Sequence, residues 1–151
     1  MKVAVACDHG GFPLKDTILK VIREAGHESI DLGTFNEERV DYTDFAWKAG
    51  QAILDGQAER AVVICGSGVG ACIAANKLPG IYAGLCHDTY SAHQGVEHDN
   101  MNVLCLGARI IGVELAAEIV RNFLGAKFLN CGNYLRRFEK IKALEKRNDH
   151  Q

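Results

Sequence analysis

Three short runs, within residues 2–7 (KVAVAC), 61–65 (AVVIC) and 102–107 (NVLCLG), carry almost no polar side chain. A strand with one wet face alternates apolar and polar residues. A nearly continuous apolar run belongs to a strand covered on both faces, which requires helices above and below. Two further runs, 28–32 (ESIDL) and 81–86 (IYAGLC), also read as strands. Helical patterns fill the intervals. The first begins at Pro13, a residue suited to the first helical position, and ends at Gly26. The second starts near Thr43 and Asp44 and stops at Gly56, the third follows a glycine-rich turn, the fourth is capped by Asp88, and the fifth spans about 113–124. Strict alternation of this kind predicts an α/β fold: a doubly wound, five-stranded parallel sheet with right-handed crossovers. A charged final helix is expected at about 133–147, with Tyr134, Leu135, Phe138, Ile141 and Leu144 along one side. That side covers either its own sheet or a partner subunit. No repeat, low-complexity tract or linker divides the chain, so residues 1–151 are expected to form one domain.

Charge narrows the function. Seventeen basic and nineteen acidic residues give a net charge of −2, and no Lys/Arg-rich block interrupts the mixed pattern. Nucleic-acid or membrane-surface binding therefore has no electrostatic footprint. The apolar run in the opening MKVAVACDHG is too short for a signal peptide or a membrane span, which predicts a cytoplasmic location. Six cysteines occur, but Cys7, Cys65, Cys86 and Cys105 sit at or near the ends of apolar runs and no C-x-x-C pair is present. Reduced thiols packed as small hydrophobes are expected, without a metal cluster.

The stretch VVICGSGVGACIAANK, residues 62–77, places Gly66, Gly68 and Gly70 between a strand and a helix. A P-loop requires Lys followed by Ser or Thr after the last glycine, and Ala71 and Cys72 stand there instead. A dinucleotide site is a second reading, since Gly66, Gly68 and Ala71 satisfy G-x-G-x-x-A and Asp88 lies about twenty residues on. The chain leaves little room for a separate substrate domain beside it. In the third reading, the loop is a nest of backbone N–H groups at a helix N-terminus, built to hold developing negative charge. Cys65 then stands at the carboxyl edge of the sheet, and partial positive charge there favours a thiolate able to move a proton.

The same reading gathers other polar residues near loop ends. Asp8 and His9 follow the first strand with Gly10 and Gly11; Asp41 and Tyr42 precede the second helix. His98, Asp99 and Asn100 precede the fifth strand, and Arg109 follows it. His9 also has a purely structural reading, packed on its own turn. Together these residues form an acid–base set, not a metal set.

The segments CDHGG, GTFNEERVDY, ICGSGVGACIAANK, EHDNMNVLCLGARIIGVELA and RRFEKI resemble the type B ribose-5-phosphate isomerases, a family that includes galactose-6-phosphate isomerase subunits. The resemblance spans essentially the whole chain. It implies a Rossmann-like three-layer α/β/α fold and interconversion of an aldose phosphate and a ketose phosphate through an enediolate, with no metal and no other cofactor. It also implies a homodimer or homotetramer with active sites built across the subunit interface and the C-terminal helix packing on a partner. By position, Cys65 becomes the base between C1 and C2. Ser67 and the backbone of Gly66, Gly68, Val69 and Gly70 become the enediolate cradle. Asp8 contacts sugar hydroxyls, His98 opens the furanose ring from the partner subunit, and Tyr42 lies beside the sugar. His9, Arg109 and Arg137 grip the phosphate. Two positions depart from the family pattern: Asn133 stands where a second arginine is common, and Asp99 where asparagine is common, with Asn100 able to serve in its place.

Overall fold

A computed structural model describes residues 1–148. Its elements are β1 (Lys2–Cys7), α1 (Phe12–Glu24), β2 (Glu28–Asp31), α2 (Tyr42–Leu54), β3 (Arg60–Cys65), α3 (Val69–Ala75), β4 (Ala83–Leu85), α4 (Thr89–Asp99), β5 (Val103–Gly107), α5 (Val113–Gly125) and α6 (Gly132–Asn148). The five strands form one parallel sheet in the order β2-β1-β3-β5-β4. The expected α/β architecture is therefore present. β4 is shorter than the apolar run suggested, because the Ile81 N–H turns back to the Leu78 carbonyl instead of joining the ladder.

The two faces of the sheet are packed differently. On one, Val3, Val5, Ile64, Leu104 and Leu106 meet the large side chains of α1 and α5, including Ile18, Ile22, Ile119 and Phe123. On the other, Ala4, Ala6, Ala61 and Val63 meet Ala46, Ala49, Ala71 and Ala75 of α2 and α3. Small residues on both sides let these two helices approach the sheet closely. The order of strands then creates the site. α1 and α5 lie on one face and α3 on the other, so the chain leaves β3 toward the opposite face from its neighbours β1 and β5. Such a switch opens a crevice at the carboxyl ends of the strands.

Caps follow local chemistry. Gly26, at φ +87°, closes α1, with N–H groups of Gly26 and His27 returning to Arg23 and Ile22. Asp88 accepts the Ser91 N–H at 2.6 Å and caps α4 as expected. Arg60, whose guanidinium donates to the Ala126 carbonyl at 2.7 Å, ties β3 to the end of α5. Buried Lys15 donates to the Thr34 carbonyl at 2.7 Å and pairs with Asp31 at 3.0 Å, fixing the chain after β2.

The last helix packs on its own chain. Phe138 is buried edge-on against Tyr82 and Phe128, and the Tyr82 hydroxyl donates to Glu145 at 3.0 Å. Tyr134 and Phe138 thus face inward, while Leu144 is exposed. Its contacts within this chain are with Tyr82, Phe128 and His98, on the α4 side of the sheet.

Candidate active site

Three strand ends meet at the crevice. The Asp8 N–H donates to the Ile64 carbonyl, and the Ala108 N–H to the Cys65 carbonyl, so the loops after β1, β3 and β5 are tied side by side. Glycine permits that approach. A Cβ on Gly11 would collide with the Ile64 carbonyl, and one on Gly66 would stand 3.2 Å from the Arg109 guanidinium. Gly68 requires glycine for its backbone as well, at φ +81°. The result is a cavity of about 310 Å³ lined by Asp8, Tyr42, Cys65, Gly66, Ser67, Gly70, Arg109 and Ile110.

Two amides of the loop are engaged within the turn itself. The Gly68 N–H donates to the Cys65 sulfur at 3.1 Å, and the Val69 N–H to the Ser67 hydroxyl at 3.2 Å. The N–H groups of Gly66 and Ser67 donate to no acceptor among the described residues. Asp8 is buried; its Oδ1 accepts the Gly11 N–H at 2.9 Å and Oδ2 is left unengaged. Tyr42 lies over Gly70, where a Cβ would meet its ring at 2.7 Å. The Arg109 guanidinium lies over Gly66, supplying positive charge at the rim. His9 sits on the Asp8 turn with its Nδ1 accepting the Val40 N–H at 3.3 Å.

The remaining expected residues are elsewhere. α4 runs antiparallel to the strands, so its eleven residues carry the chain about 16 Å from the carboxyl edge to the amino edge. His98, Asp99, Asn100 and, through α6, Arg137 therefore stand at the opposite edge of the sheet from Cys65. There the His98 ring packs 4.6 Å from Tyr134, and Arg137 follows three residues later on the same helix. Asp99 is turned into a separate groove of about 370 Å³ between β4, α4 and α6. Asn100 adopts the left-handed conformation that ends α4, with φ 54°, a role asparagine tolerates better than most residues. One chain brings Asp8, Tyr42, Cys65, Ser67 and Arg109 together and leaves His98, Asp99, Asn100 and Arg137 apart from them.

Three contributors went unmarked in the sequence. Ile110 lines the cavity. His87 accepts the Gly107 N–H through Nε2 at 3.0 Å and braces the end of β5, a long-range contact no local pattern reveals. Gln94 bonds Nδ1 of His98 at 2.7 Å; its i, i+4 spacing on a predicted helix was the available signal.

The thiols divide by environment. All six are free. Burial pushes Cys7 and Cys86 up to about 11. The Cys105 thiol, by its hydrogen bond, brings Cys72 down to about 7 against the opposing effect of burial, and Cys105 itself is raised. Among the described residues no group of three or more His, Cys, Asp or Glu is placed to hold a metal ion, and no helix is long and apolar enough to cross a membrane. Asp88, the acid a ribose would need in the dinucleotide reading, is spent on the α4 cap.

A parallel α/β sheet with a thiol and an amide-lined turn at its switch point defines a class suited to proton transfer beside a developing oxyanion. Residues 3–141 match the family model described as Ribose/Galactose Isomerase, and the chain belongs to that family. It is 43% identical over 148 residues to the Escherichia coli protein named ribose-5-phosphate isomerase B, covering 98% of this chain and 99% of that one. It is 39% identical to a Pectobacterium atrosepticum protein named D-erythrulose-4-phosphate isomerase, covering 100% and 99%. A solved structure of Clostridium thermocellum ribose-5-phosphate isomerase B superposes with a TM-score of 0.94 at 43% identity, covering 98% of this chain and 99% of that one.

Proposed function

We propose that this chain is a single-domain aldose–ketose isomerase that interconverts ribose 5-phosphate and ribulose 5-phosphate through an enediolate. The observation that carries this reading is the Cys65 sulfur at the mouth of the glycine turn, with the Gly68 N–H on it and Asp8, Ser67 and Arg109 around the same cavity. Cys65 takes the proton from C2 of the aldose and returns it to C1. The charge that develops on the two oxygens meets the Ser67 hydroxyl and the N–H groups of the turn, donors of a kind worth about 10²–10³-fold each when preorganised. The free Oδ2 of Asp8 relays the hydroxyl proton, and Tyr42 covers the sugar. Arg109 and His9 hold the phosphate from this side.

The second half-site is supplied by a partner. His98 opens the furanose, Arg137 completes the phosphate grip, and Asp99 and Asn100 approach the sugar hydroxyls. The 16 Å between the two edges exceeds any side-chain reach, so a homodimer or homotetramer whose subunits exchange these edges makes the site whole. Six free thiols accord with a reducing, cytoplasmic location.

The test uses a property of the ketose. The oxygen that would close a five-membered ring in ribulose 5-phosphate carries the phosphate, so the ketose is acyclic and its C1 hydrogen exchanges with solvent without ring opening. Cys65→Ala is expected to abolish both ribose 5-phosphate turnover and C1 exchange in deuterium oxide. His98→Ala is expected to cripple turnover and spare exchange. Mixed dimers of the two variants should recover activity, since one of their two sites is intact. Exchange persisting in Cys65→Ala would move the base elsewhere, and no recovery in demonstrated mixed dimers would refute the shared site. A four-carbon sugar phosphate is the second reading, favoured by the full-length match to the Pectobacterium protein. Turnover on a panel of four- to six-carbon aldose phosphates decides between them.

A further inference from the structure

His98 is held on two sides, and only one of them carries chemistry. The Tyr134 ring, 4.6 Å away and tilted by 31°, fixes the plane of the imidazole. Gln94, one helical turn back on α4, places its amide nitrogen 2.7 Å from Nδ1. With that –NH₂ turned toward it, Nδ1 presents its lone pair, since an amide nitrogen donates and does not accept. In the neutral ring the proton is then on Nε2. We infer that Gln94 is a positioning residue that fixes His98 in the Nε2–H tautomer and so delivers a hydrogen-bond donor to the sugar ring oxygen during ring opening.

The catalytic half of this statement rests on the assignment of His98 to ring opening. In that step the bond between C1 and the ring oxygen breaks, its electron pair goes to the ring oxygen, and the anomeric hydroxyl loses its proton as C1 becomes a carbonyl. The ring oxygen gains one proton, so the balance is one proton moved from O1 to the ring oxygen through solvent. A donor already aimed at the leaving oxygen stabilises charge as it forms, whereas the other tautomer would aim a lone pair at it. Gln94 touches neither sugar nor reacting atoms in this scheme; it decides what His98 can offer.

Nitrogen-15 NMR of histidine-labelled wild-type protein at pH 8.5, with His98 assigned from the spectrum of His98→Ala, reads the tautomer directly and needs no catalytic assumption. The expected result is an unprotonated Nδ1 and a protonated Nε2. In Gln94→Glu the carboxylate can only accept, and the proton is expected to move to Nδ1. Kinetics then tests the role. Both Gln94→Glu and Gln94→Met should lower kcat on ribose 5-phosphate on the order of tenfold, less than the roughly 10²–10⁴-fold a positioned proton donor supplies, because His98 itself remains. KM should change little, and C1 exchange of ribulose 5-phosphate should be spared. An Nδ1–H signal in the wild type overturns the inference outright. The expected tautomer with equal loss of turnover and exchange overturns the positioning role in favour of general support of the fold. A tautomer that switches in Gln94→Glu with turnover unchanged overturns the catalytic half, and locates the failure in the ring-opening assignment of His98, not in the Gln94 contact.

Discussion

Gly107→Ala probes the candidate site without replacing any residue assigned to chemistry. Gly107 ends β5 directly beside Cys65 in the ladder, and its φ is one any residue can adopt, so the substitution acts through space alone. The new Cβ would stand 2.6 Å from both the carbonyl carbon and oxygen of Ser67, and 2.8 Å from the Ile110 side chain. Ile110 is 60% exposed and can swing away. The Ser67 backbone cannot, and it must retreat by about 0.8 Å to reach the 3.4 Å of ordinary contact. Overpacking of this kind costs about 1–3 kcal/mol, or roughly 2–12 °C in Tm for a chain of this size. The shift falls on the turn whose amides face Cys65. Since a displacement of about 1 Å in a positioned site can cost on the order of 10²-fold, kcat/KM on ribose 5-phosphate is expected to fall about 10- to 100-fold. The assay is initial-rate ribulose 5-phosphate formation beside calorimetric melting. Gly125→Ala, where a Cβ meets nothing within 4 Å, is the control and should leave kcat/KM unchanged. A Gly107→Ala protein that melts several degrees lower yet keeps kcat/KM within twofold would refute the importance of the Ser67 backbone position.

Lys15→Met strands Asp31 and the Thr34 carbonyl without their buried cation; a loss of about 3 kcal/mol and a Tm lower by about 6–12 °C is expected, and a change under 2 °C would show that the pair contributes nothing. Burial, reinforced by Glu145, raises the Tyr82 phenol from 10.0 to about 12. A raised phenol stabilises the fold fully below pH 10 and loses that contribution as pH climbs toward 12, so the stability gap between wild type and Tyr82→Phe should close across that window in urea titrations; a constant gap refutes the coupling. Iodoacetamide on the native protein at pH 8 should label exposed Cys131, then half-buried Cys72, and leave Cys7 and Cys86, both held near 11, unlabelled until denaturation. Peptide mass spectrometry that finds Cys7 modified ahead of Cys131 would overturn the assigned burial.

Much of this fold was legible in order along the chain. Continuous apolar runs mark strands buried on both faces, and caps such as Asp88 and stops such as Gly26 are local chemistry that neighbouring residues report. The glycine turn with Cys65 was legible for the same reason, since strand, turn and helix are adjacent in sequence. Strand order was not. Pairing β3 with β1 and β5 joins residues tens of positions apart, and that energy comes from side chains meeting across the sheet, which periodicity does not encode. The crevice between Asp8, Cys65 and Arg109 exists only because of that order. The separation of His98 from Cys65 was decided the same way: α4 carries His98 to the far edge, and α6 lays Tyr134 on it through contacts with Tyr82 and Phe128 that no local pattern specifies. Residue types and their spacing along one element were set by the sequence; which of them face one another was set by non-local packing.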